Sequence, residues 1–290
     1  MTLLMKGAPV AAAMKEAMRE KVACLAEQGV VPTLAIVRVG ERPDDLSYER
    51  GAVKRCESVG IRIRQVVFPE EIGEEEFFCV LDELNRDEAV HGILVFRPLP
   101  IGLDGERARN AIAPEKDVDG CTDASLAGVF TNKPVGFAPC TAQAVMEMLH
   151  YYGIDCTGKR AVVIGRSLVV GRPLSMMLMH ENATVTVCHT RTKEVAALAR
   201  EADLLVVCSG QMESVGIDYV RTGQIVMDVG ISWNEEKGKL CGDVRFDEVC
   251  DTVDGITPVP GGVGSVTTSV LAMHVVEAAM RAQKEKSSKA

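Results

Sequence analysis

At 290 residues the chain is long enough for two domains and a large buried core. Charged residues make up 25% and hydrophobic residues 47%, the balance of a soluble globular protein. The net charge is −9 and no basic stripe offsets it, which argues against nucleic acid or an anionic membrane as partner.

Apolar positions at helical spacing (Val10, Met14, Met18, Val22, Leu25) predict a first helix over 8–28, ending near Gly29. A strand follows over 32–39, then a polar turn over 40–45. A second helix covers 47–59 and stops at Gly60. A second strand over 61–68, a helix over 74–86 and a third strand over 90–96 complete a β-α-β-α-β run. That order implies a parallel sheet with crossover helices. Arg97, Pro98, Leu99 and Pro100 end the third strand at the carboxyl edge, where such sheets hold ligands. The polar loop over 114–122 carries three acids and a lysine. Thr141 is placed to cap a helix over 142–151.

The second half repeats the alternation. The string AVVIGRSLVVGRP over 161–173 reads as strand, glycine-bearing turn and helix, which presents backbone N–H groups to a phosphate. Its spacing is not GxGxxG, so an ordinary strand-to-helix turn stays open at this point. The next strand, over 183–189, ends without the Asp or Glu that would hold a free ribose diol. It runs instead into Thr190, Arg191, Thr192 and Lys193. With Arg166 in the glycine loop, two arginines and a hydroxyl suit a 2′-phosphate, favouring NADP over NAD. A helix over 193–201 and strands over 203–208 and 224–229 follow, with a surface hairpin turn over 233–242. The prolines and glycines of 256–264 fix an irregular path. A last helix is predicted over 266–283, and the tail KEKSSKA reads as disordered.

Ten cysteines are scattered with no CxxC, so they read as small buried residues rather than a disulfide frame or zinc site; no metal is expected. The opening MTLLMKGAPV lacks a signal peptide's continuous apolar region, and no stretch of membrane-spanning length occurs. A cytoplasmic location is expected.

Taken together, VG at 39–40, Tyr48, GILV at 92–95, PLP at 98–100, KDVDG at 116–120 and PCT at 139–141 resemble one family over nearly the whole chain. So do VVIGRSLVVGRP at 162–173, DVGI at 228–231 and ITPVPGGVG at 256–264. It is the methylenetetrahydrofolate dehydrogenase/cyclohydrolase family. The resemblance implies an α/β fold with two parallel-sheet domains and a cleft between them. The folate domain would span 1–138 with the C-terminal helix over 266–283 packed back on it; a Rossmann-type domain would span 139–265. It implies a homodimer and two reactions: oxidation of 5,10-methylenetetrahydrofolate to the 5,10-methenyl form with a nicotinamide cofactor, then hydrolysis to 10-formyltetrahydrofolate. By position, Tyr48 would stack on the folate and Asp119 would hold the pterin. Leu99, Pro100, Pro260 and Gly261 would line the folate site. Gly165, Arg166, Ser167, Thr190, Arg191, Gly210, Ile231 and Thr267 would hold NADP, with NAD as the lesser choice. His189, beside the 2′-phosphate region, reads as structural.

Two departures stand out. The family's catalytic lysine lies four residues after the tyrosine, where this chain has Ala52; the family's glutamine after GILV is Phe96. Lys54 lies about 200° around the helix from that position at about 100° per residue. Arg55 is nearer but stays protonated and cannot act as a base. The serine three residues before the tyrosine is Asp45, and PGGVGP has become PGGVGS with Ser265. Hydride transfer needs positioning, because the folate's own nitrogen lone pairs supply the push. Water addition and ring opening need protons moved. The dehydrogenase step is therefore expected to survive and the cyclohydrolase step to be weak or absent. The alternatives are a fully bifunctional enzyme and a non-catalytic folate or nucleotide binder.

Overall fold

The computed structural model describes residues 2–289. In chain order, β1 (Leu3–Leu4) precedes α1 (Gly7–Glu27), which ends before Gly29 at φ +73°. β2 (Thr33–Val39) is buried along its whole length, as the centre of a parallel sheet should be. α2 (Pro43–Glu57) opens with Pro43 preset for helical φ and with Asp44 and Asp45 in its first turn. The helix therefore starts inside the stretch expected to be a polar turn. β3 (Arg62–Phe68), α3 (Glu74–Arg86) and β4 (Gly92–Val95) follow the predicted alternation.

Next come α4 (Gly105–Asn110) and α5 (Asp123–Thr131), which hydrophobic periodicity did not reveal. Caps set them. Asp104 accepts from the N–H groups of Glu106 and Arg107, Thr122 accepts from that of Ser125, and α5 stops at Asn132 in the left-handed region. α6 (Cys140–Tyr151) begins one residue before Thr141, so Thr141 lies in its first turn and does not cap it. β5 (Arg160–Ile164), α7 (Gly171–His180), β6 (Thr184–Cys188), α8 (Val195–Arg200), β7 (Leu204–Val207) and β8 (Ile225–Asp228) alternate as read from the sequence. β9 (Ser232–Asn234) and β10 (Lys239–Cys241) make an antiparallel hairpin. α9 (Phe246–Val249), β11 (Gly255–Ile256) and α10 (Thr267–Lys289) end the chain.

The tail is a correction. Residues expected to be disordered continue α10 through Lys289. Lys and Glu are good helix formers, Lys286 pairs with Glu88 at 2.9 Å, and the Ser287 and Ser288 hydroxyls bond back to Gln283 and Lys284 carbonyls. Ala290 lies outside the described residues.

Two compact units form. One comprises Met1–Ala12 and Thr141–Thr267; the other comprises Ala13–Cys140 and Thr268–Ala290. The first holds a six-stranded sheet in the order β1-β11-β8-β7-β5-β6, every neighbouring pair parallel. Leu3–Leu4 pairs with Gly255–Ile256, so the opening residues leave the first domain as the sequence drew it. β5 lies between β6 and β7, and strand order reverses there, which marks the ligand-binding point of an open parallel sheet. Val162, Leu205, Val207, Val226 and Val249 centre this unit's core.

The second unit holds a three-stranded parallel sheet, β3-β2-β4. Phe77, Leu81, Ile93 and Val95 pack its core. α10 covers the same sheet, and Gly92 leaves the space that Val275 occupies. Arg38, buried on β2, pairs with Glu49 of α2 at 2.9 Å, and Gln65 of β3 donates to the other Glu49 oxygen at 2.5 Å. The buried Arg38–Glu49 pair, with Gln65 at its rim, fixes α2 against the sheet.

Candidate active site

The smaller sheet presents one cluster at its carboxyl edge. On α2, Asp45, Glu49, Ala52 and Cys56 form the buried stripe. Ala52 is wholly buried, Lys54 is exposed and Arg55 is half-buried. Tyr48 lies one turn before Ala52 and meets the ring of Phe96 edge-on, centroids 5.9 Å apart. Phe96 extends the β4 ladder through its N–H to Val37 and is 9% exposed. The next residue, Arg97, places Nη2 3.3 Å from Asp119 Oδ2. The pair at 96–97 thus links Tyr48 to Asp119. Leu99 and Pro100 are half-buried, and Leu99 packs on the core.

The acids of the KDVDG loop divide their work. Asp117 is buried and accepts from the Cys121 and Thr122 N–H groups and the Ser125 hydroxyl, at 2.6–3.0 Å. It holds the loop. Gly120, at φ +69°, passes so close to Ala138 that a Cβ would overlap its backbone. That leaves the Asp119 side chain, 26% exposed, turned toward Arg97. Desolvation pushes its carboxyl above the usual range, Arg97 pulls it back, and Asp117 adds to the rise. Burial likewise raises the Cys140 thiol.

The larger sheet carries the second cluster at its own carboxyl edge. Gly165 ends β5 at φ +133°, where a Cβ would overlap the Cys208 carbonyl; a Cβ on Gly171 would overlap the Gly165 carbonyl. The turn closes only with glycine at both positions. Arg166 and Ser167 are exposed, and the Ser167 hydroxyl accepts from the Val170 N–H. After β6, His189 Nδ1 accepts from the Arg191 N–H at 3.1 Å, and Thr192 Oγ1 accepts from the His189 N–H. His189 thereby shapes the turn that presents Thr190 and Arg191, both exposed. Among the described residues neither Arg166 nor Arg191 has an ion-pair partner.

Behind this edge lies a pair of carboxylates that sequence reasoning missed. Asp243, fully buried, accepts from the Gly210 N–H and the Ser209 hydroxyl through Oδ2. Asp228, at the end of β8, accepts from the N–H groups of Gly230, Asp243 and Val244. The two carboxylates tie the loop of Gly210 to the loop of Ile231, which is 56% exposed. Burial and the neighbouring Asp243 push Asp228 up to about 7. The GDV string at 242–244 is the one trace of this in the sequence. Pro260 and Gly261 are exposed on the loop before α10, where Gly261 accepts from the Gly7 N–H; Thr267 is buried and donates to Gly264. Among the described residues no cluster of three metal-ligating side chains forms.

Two family models match the chain. Residues 5–119 match the catalytic domain of tetrahydrofolate dehydrogenase/cyclohydrolase, and residues 139–283 match its NAD(P)-binding domain. The bifunctional protein FolD of Carboxydothermus hydrogenoformans is 53% identical over 94% of this chain and 95% of its own. The crystal structure of the FolD methylenetetrahydrofolate dehydrogenase/cyclohydrolase of Campylobacter jejuni superposes with a TM-score of 0.94 at 39% identity, over 97% of this chain and 99% of that one. The Trypanosoma brucei FolD, solved with NADP and an inhibitor, superposes at 0.89 with 35% identity, over 97% and 98%.

Proposed function

Because the chain belongs to the tetrahydrofolate dehydrogenase/cyclohydrolase family, we propose that it oxidises 5,10-methylenetetrahydrofolate to the 5,10-methenyl form with NADP. The carrying observation is the pair of carboxyl-edge clusters: an aromatic and an acid on one sheet, a glycine cradle with two arginines on the other. Tyr48 supplies a flat face for the folate and Asp119 an acceptor for the pterin's N–H groups. The exposed glycine turn after β5 suits a pyrophosphate held by backbone N–H groups, and Arg166, Thr190 and Arg191 suit the 2′-phosphate. Gly210 and Ile231 border the same edge, with Ser167 and Thr267 as further cofactor residues. Leu99 and Pro100, at the carboxyl edge of the smaller sheet, suit the folate's place beside Tyr48 and Asp119. A nicotinamide held there would supply the hydride acceptor. The protein's part is to hold the methylene carbon in reach; the folate's nitrogens stabilise the developing charge.

The second reaction divides the support. The relatives are named bifunctional, and this favours a chain that also hydrolyses the methenyl form. One observation points the other way: Ala52, wholly buried, stands at the family lysine's place, and apolar Phe96 at the glutamine's. No lysine stands on that helix row, and its Glu49 carboxylate is already engaged by Arg38 and Gln65. Our proposal follows the side chains: dehydrogenase retained, cyclohydrolase strongly reduced.

Two assays on the purified chain test both parts. Methenyltetrahydrofolate formation with NADP is expected; its absence at high enzyme concentration refutes the dehydrogenase. Loss of methenyltetrahydrofolate at no more than the uncatalysed rate is expected; clear acceleration establishes the bifunctional reading instead.

The homodimer and the cytoplasm belong to the same proposal. Among the described residues β3 has no strand on its outer edge, and the cysteines are all free. No helix among them is long and apolar enough to cross a membrane. A mass measurement in solution tests the dimer.

A further inference from the structure

The dehydrogenase reaction as proposed leaves Arg97 without a ligand contact. Its one polar contact among the described residues is Asp119, through Nη2. A guanidinium has five N–H donors and remains charged. Arginines that serve the fold here turn those donors onto backbone carbonyls: Arg109 Nη1 onto Cys121 at 2.8 Å, and Arg281 Nη1 onto Gly136 at 2.9 Å. Arg97 reaches no carbonyl. Its side chain is 31% exposed, beside Asp119 and one residue from the ring that meets Tyr48.

We propose that Arg97 and Asp119 together read the amide edge of the pterin, with Arg97 donating to the ring's 4-oxo oxygen. This rests on the assignment of Asp119 to the pterin. That edge runs donor, donor, acceptor: the 2-amino group, N3–H and O4. An ionised carboxylate beside a guanidinium offers acceptor, acceptor, donor, the complement in the same order. A carboxylate has about four lone-pair positions, so Oδ2 can keep Arg97 while accepting a ring N–H. The two charges are paired before the ligand arrives, so neither is left bare when it does. A 4-amino ring would set a donor against a donor and be rejected.

The test is calorimetric binding of two ligands to the full chain: 5-formyltetrahydrofolate, which keeps the 4-oxo group, and a 2,4-diamino folate analogue. Arg97→Leu is expected to weaken the 4-oxo ligand roughly 10- to 100-fold, the range of a charge-assisted hydrogen bond. It should leave the diamino ligand as tight or tighter, and Arg97→Lys should recover part of the loss. Unchanged NADPH binding by the variants reports an intact fold. Equal weakening of both ligands, or none for either, overturns the proposal. If the unmodified chain binds neither ligand, the pterin assignment itself falls.

Discussion

Position 52 carries the sharpest chemical statement in the chain. A lysine works as a base when a partly apolar site lowers its pKa, and a fully buried site would do so strongly. Ala52→Lys alone puts an ammonium at a wholly buried position and should destabilise the protein. Adding Phe96→Gln supplies the family's second polar residue. The double variant is expected to gain cyclohydrolase activity at least about tenfold over the parent, toward the roughly 10²–10⁴ that acid–base groups contribute. A double variant that folds, keeps its dehydrogenase rate and gains no hydrolysis would show that residue 52 does not control the second step. Asp119→Asn makes a second prediction. It should weaken 5-formyltetrahydrofolate binding by an order of magnitude or more, by losing the anion, while NADPH titration stays unchanged. Ala52 and Phe96 were legible because a motif broke at fixed spacing. The Arg97–Asp119 pair was not, since 22 residues separate partners that only the fold brings to 3.3 Å.

Among the elements, those with a long apolar rhythm were read within a few residues: α3, β2, β5 and β7. The misses share a cause. α4 and α5 are held by side-chain caps rather than by a stripe, and β1 has two residues whose only reason to be a strand is the distant β11. The loops after β7 and β8 were seen only as turn residues, and their stitching by Asp228 and Asp243 has a measurable consequence. Asp228 holds its proton up to about pH 7 in the folded chain, chiefly through desolvation and further through Asp243. The unfolded chain releases that proton near the ordinary carboxylate value. The group's contribution to stability is therefore full below about pH 4 and is lost as pH rises through about 7. Asp243→Asn removes the neighbouring charge. It can keep the amide oxygen on Gly210 and Ser209, because Oδ1 is the atom without a partner. Its Tm should fall less between pH 5 and pH 8 than the parent's. Parallel pH curves for the two proteins would remove Asp243 from the account.

At the scale of the whole molecule, the α/β class and the two parallel sheets were legible from alternation alone, while the division of the first twelve residues was not. Charge was legible too, and it frames the cofactor. A chain of net charge −9 repels a nucleotide carrying an extra phosphate unless local cations reverse the field. Arg166 and Arg191 stand exposed at the carboxyl edge of the six-stranded sheet, without ion-pair partners among the described residues. Two consequences separate a 2′-phosphate site from a chance pair of surface arginines. Arg191→Ala should raise the NADP dissociation constant roughly 10- to 100-fold and leave that for NAD within about twofold, since only NADP offers the phosphate. The parent's preference for NADP should also shrink as salt rises from 0.05 to about 0.5 M, because screening weakens exposed charge pairs. In the alanine variant that salt dependence should flatten. A variant that loses both cofactors equally would mean that Arg191 shapes its turn through His189 and Thr192 without meeting a phosphate. A preference for NAD in the parent would mean that the missing acid after β6 is replaced by a diol-binding group elsewhere on this edge.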